Sequence, residues 1–255
     1  MTGQSWEMRF MPLEGCFNFR DLGGYQTVHG QRLRWGRLYR SDALHRLTPA
    51  GLESFAELGI VTVIDLRTPV EAAEREWRAP AAWPGRRHHL PLQESLPAWA
   101  SGGGHPLAAG PGFAADDYRQ TLSAGLGTVK AVIDLLARPG SLPAVYHCAA
   151  GKDRTGILSG LLLRLLGVPA ETVAADYALS DIATARWEES VAAGQPDDTG
   201  TVWRHVPPSM LAADRRTMLR FLAGIEREHG SVENFLRSAG VSGAAIRELS
   251  SALLE

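Results

Sequence analysis

The chain is almost without cysteine. Cys16 and Cys148 are the only two among its 255 residues, which excludes a disulfide framework and a cysteine-rich structural zinc site and fits a reducing compartment. No sign of charge dominates either, since 26 Lys and Arg stand against 28 Asp and Glu for a formal net charge of -2. Without a bulk electrostatic footprint, nucleic acid is not an expected partner, and any anion site must be local. Long apolar runs are missing too. The longest, Ile157 to Leu166, is broken by Ser159 and Arg164 and is far too short to span a bilayer, so no integral membrane segment is expected. Met1 to Leu13 carries Trp6, Glu7 and Arg9 with no sustained apolar stretch, which points away from a Sec signal or anchor. Internal repeats and low-complexity segments are lacking as well.

What is present is enough apolar side chain, 45% hydrophobic residues, to close one substantial core, so residues 1–255 are read as one domain. Asn18 to Gly24 reads as a glycine-rich turn. Leu33 to Arg40 alternates apolar and basic residues, as a strand facing the core on one side and a polar site on the other would. Thr48-Pro49 opens a helix by the cap-plus-proline rule, and Gly59 ends it. Ile60 to Leu66 is β-branched and almost wholly apolar, the mark of a strand buried on both faces. Arg86 to Leu92 and Ala144 to His147 are further strand candidates, and helical patterns separate them. From Arg154 onward helix follows helix: Arg154 to Leu166, Ala170 to Leu179, Asp181 to Ala193, Pro208 to Glu228, Ser231 to Ala239 and Ser242 to Leu254. The layout is α/β, a parallel or mixed sheet of about four strands flanked by helices with a helical C-terminal half. Residues 93–117 hold Gly102-Gly103-Gly104, Pro97, Pro106 and Pro111 with little periodicity, and are read as a mobile lid that Leu96, Trp99, Leu107 and Phe113 would let close over the site.

The informative stretch is His147-Cys148-Ala149-Ala150-Gly151-Lys152-Asp153-Arg154-Thr155-Gly156, between a strand and an apolar helix. A loop of this length can curl so that the backbone N–H groups of Cys148, Ala149, Ala150, Gly151, Lys152, Asp153 and Arg154 converge on one anion, with the helix N-terminus adding its own donors. Arg154 can grip two phosphoryl oxygens with its planar fork, as lysine could not. A thiol against such donors is stabilised as thiolate: free thiols titrate near about 8.5, and comparable settings bring them to roughly 3.5–7.5. Cys148 is therefore the candidate nucleophile. Gly151 lets the loop turn, Gly156 lets the helix lie close to the sheet, the Thr155 hydroxyl can donate to the sulfur, and His147 orients the Cys148 backbone from below. A nucleotide-binding Walker loop fails twice, because Tyr146 stands in its glycine position and Asp153 follows Lys152.

HCAAGKDRTG resembles the active-site loop of cysteine-dependent protein tyrosine phosphatases, and its interior is similar to a bacterial branch typified by mycobacterial protein tyrosine phosphatase B. Asn18-Phe19-Arg20-Asp21, Arg37-Leu38-Tyr39-Arg40-Ser41, Asp65-Leu66-Arg67, Asp117-Tyr118-Arg119-Gln120, Asp176-Tyr177 and the tail from His229-Gly230-Ser231 to Leu254 resemble that branch in the same order. The resemblance covers most of the chain. It implies a phosphatase fold, a phosphocysteine intermediate, no metal or other cofactor, and inorganic phosphate as product. The implied substrates are phosphotyrosyl proteins and, in some members, phosphoserine, phosphothreonine or phosphoinositides. Relatives also leave the cell by routes that need no Sec signal, so both the cytoplasm and such release are expected locations.

The leaving oxygen needs a proton. Many tyrosine phosphatases hold the acid on a Trp-Pro-Asp loop, whereas here Trp83-Pro84 is followed by Gly85. Three carboxylate candidates remain: Asp153 in the cradle, Asp65 at a strand exit, and the pair Asp116-Asp117. A carboxyl beside a bound dianion is pushed towards its neutral form, and the resemblance also favours Asp153. Asp153 could instead pair with an arginine or cap the helix, and Asp65 could anchor Arg67 or Arg40. Lys152 could favour multiply charged phosphoinositide heads or be an exposed lysine. One of Arg20, Arg40 and Arg67 could steer substrate, and each alone could be a surface or ion-pair arginine. Cys16 could form a reversible disulfide with Cys148 or be a small buried hydrophobe. Two other functions share the loop: a catalytically silent phosphate reader, opposed by the retained Cys148 and Arg154, and sulfur transfer or arsenate reduction, for which Cys16 would be the one resolving thiol.

Overall fold

The computed structural model describes residues 6–96, 110–194 and 211–255. Its centre is a sheet of five strands, β1 (Arg20–Asp21), β2 (Leu38–Ser41), β3 (Thr62–Asp65), β4 (Arg86–His89) and β5 (Ala144–His147), in the order β1-β2-β5-β3-β4. β2, β5, β3 and β4 run parallel, and β1 joins β2 antiparallel. The strand beyond the expected four is β1, too short at two residues to show any alternation.

Side-chain alternation divides the core between the two faces of the sheet. Leu38, Ile64, Ala144 and Tyr146 face one apolar cluster, built with α3 (Pro111–Ala124), α4 (Leu126–Leu136), α5 (Asp153–Leu165), α6 (Ala170–Ala178), α8 (Arg215–His229), α9 (Val232–Ser238) and α10 (Gly243–Leu253). Tyr39, Val63 and Val145 face the other, where Phe19, Phe55 and Trp77 pack. That second face carries α1 (Pro49–Glu57), whose first turn is capped by Thr48 accepting from the Gly51 amide, and the chain leaves α1 through Gly59 at φ 61°. α7 (Ser180–Ala192) follows α6 directly.

Several expectations are revised. The run Leu33 to Arg40 is not one strand. Leu33 pairs with Tyr25, Arg34 donates to the carbonyl of Leu253, and Gly36 at φ 69° breaks the run before β2 begins. All four residues of β2 are buried, so neither of its faces is open to solvent. Within 93–117, residues 97–109, with Trp99, Leu107 and the three glycines, lie outside the described residues, as do 208–210 of the helix expected from Pro208. Residues 111–117 are not loop, because they form the first half of α3 and bury Ala115. The described helix α8 starts at Arg215, capped by Asp214. Among the described residues no helix is long and apolar enough to cross a membrane.

Candidate active site

The parallel register brings Ser41 and Asp65 level with His147. The segments leaving β2, β3 and β5 therefore emerge together at the carboxyl edge of the sheet, where open α/β sheets bind ligands. Cys148 to Lys152 form the loop between β5 and α5. Three successive carbonyls of that loop are tied to its surroundings. The Ala149 carbonyl accepts from the Ala43 amide at 3.0 Å, that of Ala150 from Asn18 Nδ2 at 2.8 Å, and that of Gly151 from Arg40 Nη2 at 2.7 Å. A trans peptide points its N–H opposite to its carbonyl, so the amides of Ala150, Gly151 and Lys152 are turned the other way, beside the first turn of α5. Gly151 sits at φ 68°, and a Cβ there would lie 2.6 Å from the Ser41 carbonyl carbon and oxygen. Only glycine fits.

The anchors are themselves held. Asp176 on α6 accepts from Arg20 Nε at 3.1 Å, Arg40 Nη1 at 2.7 Å and Tyr25 Oη at 3.0 Å. Burial alone would raise the Asp176 pKa, but Arg20 and Arg40 outweigh it and hold the carboxyl down at about 2. Arg20 continues to Asn18 Oδ1, so one buried network reaches both the Ala150 and the Gly151 carbonyls. Asp42, just past β2, accepts from the amides of Phe17 and Asn18, each at 3.1 Å, and from Arg46 at 2.6 Å. Arg20 and Arg40 are therefore neither surface residues nor free to steer substrate.

Arg67 is equally buried. Its Nε and Nη2 grip Asp65 at 2.9 and 2.7 Å. Burial would raise the Asp65 pKa, and His147 and Arg67 more than offset it, holding the carboxyl well below the usual range. The Asp65 carboxylate is fully enclosed and gripped by Arg67 through both oxygens, the arrangement of an anchor. His147 is pushed down to about 4 by burial, against the pull of Asp65. Its Nδ1 lies 3.2 Å from the Cys148 carbonyl oxygen, so the ring sits against the backbone it was expected to orient.

At the start of α5, Arg154 donates to both carboxylate oxygens of Glu71, at 2.5 and 2.9 Å. Glu71 also closes a capping box on α2 (Pro69–Glu74), accepting from the Thr68 amide while the Thr68 hydroxyl accepts from its own. Burial opposes its charge, but Arg154 and the Thr68 amide prevail, and the Glu71 pKa is lowered. The Thr155 hydroxyl oxygen is buried and, among the described residues, makes no hydrogen bond. A Cβ on Gly156 would stand 3.0 Å from the Tyr177 ring, so the close approach needed there is to α6 more than to the sheet.

Lys152 is not an exposed lysine. Its Nζ donates to the Leu211 carbonyl at 3.1 Å and lies 3.4 Å from Asp153 Oδ1. Among the described residues no arginine forms an ion pair with Asp153, and Tyr118 Oη donates to its Oδ1 at 2.5 Å. Trp83 is structural, donating to the Ile60 carbonyl at 2.6 Å and packing on Phe55 and Trp77. Both cysteines are free. Cys16 packs with the cluster on one face of the sheet and Cys148 with that on the other, and burial pushes the Cys16 thiol well up, away from the thiolate that exchange requires.

The sequence reading missed Glu71, Asn18, Asp42, Tyr118, Asp176 and Tyr177 as parts of the site. Thr68-Pro69-Val70-Glu71 carries a readable capping-box signature, and all the others except Asp42 stand in segments quoted for the family resemblance. Nothing local marks Asp42.

The model of the tyrosine phosphatase family matches residues 11–255. The chain belongs to that family. It is 28% identical over 291 aligned positions to the triple specificity protein phosphatase PtpB of Mycobacterium tuberculosis, covering 97% of this chain and all of that one. A putative tyrosine-protein phosphatase of Cupriavidus necator is 31% identical over 87% of this chain and 81% of its own. A tyrosine-protein phosphatase of Nostoc commune is 31% identical over 82% and 71%. The fold is accordingly that of a protein tyrosine phosphatase, and the enzyme is a phosphoric monoester hydrolase acting on phosphotyrosyl protein.

Proposed function

We propose that Cys148 is the nucleophile of this phosphatase, that the amides of its loop and Arg154 hold the phosphoryl group, and that Asp153 is the general acid. The observation that carries the reading is the loop whose three carbonyls are tied outward in front of the α5 N-terminus, which leaves its amides for an anion. The thiolate sulfur attacks phosphorus as the ester P–O bond breaks, and Asp153 gives the leaving oxygen its proton. Water then attacks the phosphocysteine, Asp153 takes a proton from it, the S–P bond breaks, and inorganic phosphate leaves. Thr155, with its unoccupied hydroxyl, supplies a donor to the departing sulfur. No metal or other cofactor enters either step.

The substrate range proposed is wider than phosphotyrosine and takes in phosphoserine, phosphothreonine and phosphoinositides, which the family resemblance implies and the triple specificity in the name of the Mycobacterium tuberculosis relative supports. The test is hydrolysis of para-nitrophenyl phosphate from pH 5 to 8 with chelator present, comparing the wild type with Cys148→Ser. Turnover that survives chelator and vanishes in the variant is expected. A silent wild type that still binds vanadate would make the chain a phosphate reader instead.

A further inference from the structure

Asp153 meets a hydroxyl that the chemistry above does not use. Tyr118, on the buried side of α3, donates to Asp153 Oδ1 at 2.5 Å, and its oxygen lies 2.7 Å from Tyr177 Oη. A phenol has one hydrogen to give. Tyr118 gives its own to the carboxylate, so Tyr177 is the donor in the second contact, and the chain of donation runs from Tyr177 through Tyr118 to Asp153. Both rings are almost wholly buried while the Asp153 side chain is 46% exposed. The rings stack edge to face with centroids 6.2 Å apart, and Tyr118 meets Phe221 in the same way at 6.0 Å. A solvent-facing carboxyl is thus held from inside by a hydroxyl that packing prevents from turning away. Lys152 Nζ approaches the same oxygen, Oδ1. Among the described residues, no hydrogen bond reaches Oδ2.

We propose that Tyr118, backed by Tyr177, is the positioning residue for the acid: by occupying Oδ1 it leaves Oδ2 as the oxygen that carries the proton, and it fixes the carboxyl's orientation toward the leaving group. The proposal rests on the reading of Asp153 as the acid. In the first step the Oδ2 proton passes to the leaving oxygen as the P–O bond breaks. In the second, Oδ2 takes a proton from the attacking water. Tyr118 keeps its own hydrogen in both, donating to Oδ1 throughout. The effect belongs to proton transfer, so it grows with the basicity of the leaving oxygen.

The test is the dependence of kcat/KM on leaving group over aryl phosphates from para-nitrophenyl to phenyl, with inhibition by inorganic phosphate as the measure of an intact loop. Tyr118→Phe keeps the ring stack. Tyr118→Phe/Tyr177→Phe also removes the hydroxyl that the single change would orphan. Both are expected to lose about tenfold on phenyl phosphate, within the range general acids contribute, and less on para-nitrophenyl phosphate, with the phosphate inhibition constant within about twofold. Added to Asp153→Asn, neither should cost anything more, because a positioner without its acid has no task. Equal loss across all leaving groups, or loss that adds to that of Asp153→Asn, would overturn the role of Tyr118 while leaving the acid in place. An Asp153→Asn enzyme with unchanged leaving-group dependence would remove the acid reading, and the inference with it.

Discussion

Arg154 illustrates how much a single residue depends on its partner. Its guanidinium gives one N–H from Nη1 and one from Nη2 to Glu71, which sets the plane of the fork before any phosphate arrives and leaves its other donors for the anion. Glu71 has two tasks, holding Arg154 and capping α2, and glutamine can do only the second, since a capping box accepts either residue. Glu71→Gln is expected to keep the wild-type denaturation midpoint and to lower kcat/KM about tenfold, the worth of one charge-assisted hydrogen bond. Glu71→Ala should lose stability as well, about 1 kcal/mol for the cap. Equal kcat/KM in Glu71→Gln and wild type, read on para-nitrophenyl phosphate, would show that Arg154 orients itself unaided.

The element that matters is the loop between β5 and α5, and its shape is imposed from outside. Short loops choose among several backbone paths, and here Ala43, Asn18 and Arg40 choose for it by claiming its carbonyls. Gly151 is where this constraint is tightest, with left-handed backbone and β2 directly against it. Gly151→Ala must either push β2 away or flip the peptide, at a cost of about 1–3 kcal/mol. A loop displaced by an ångström is expected to lose about a hundredfold in kcat/KM. Chemical denaturation and steady-state kinetics would read both, and a variant with the activity and stability of the wild type would contradict the account of the loop.

At the scale of the whole molecule the site is a set of buried charges, and the protein's pH response follows from them. His147 titrates at about 4 when folded and near 6.5 when unfolded. Between those values the unfolded chain holds more protons, so folding stability rises with pH across that window and falls as pH drops from about 6.5 toward 4. The loss attributable to His147 is on the order of 3 kcal/mol. Asp176, held at about 2, adds its own loss only below roughly pH 4, as the ordinary carboxylate value is passed. Urea unfolding at pH 7, 6, 5 and 4.5 checks the first window. The expected result is a falling midpoint that His147→Asn flattens, and a wild-type midpoint constant from pH 7 to 4.5 would refute it.

The succession of β2, β3, β4 and β5, the helix starts at Thr48-Pro49 and Ser242, and the loop HCAAGKDRTG were all legible along the chain, because periodicity, caps and a contiguous anion motif are local properties. For Arg20, Arg40, Arg67 and Asp65 the chain left the ion pair standing beside a catalytic or substrate-steering role, without deciding between them. Their roles depend on burial, and those of Arg20 and Arg40 depend on Asp176 arriving from α6, 136 residues after Arg40. Glu71 and Tyr118 likewise acquire their functions from contacts across 83 and 35 residues. The linear sequence determined which groups can do the chemistry. Only the tertiary structure decided which carboxylate stays bound in an ion pair, which remains open to solvent, and which side chains hold both in place, since the free energy of a charge is set by neighbours that only folding brings together.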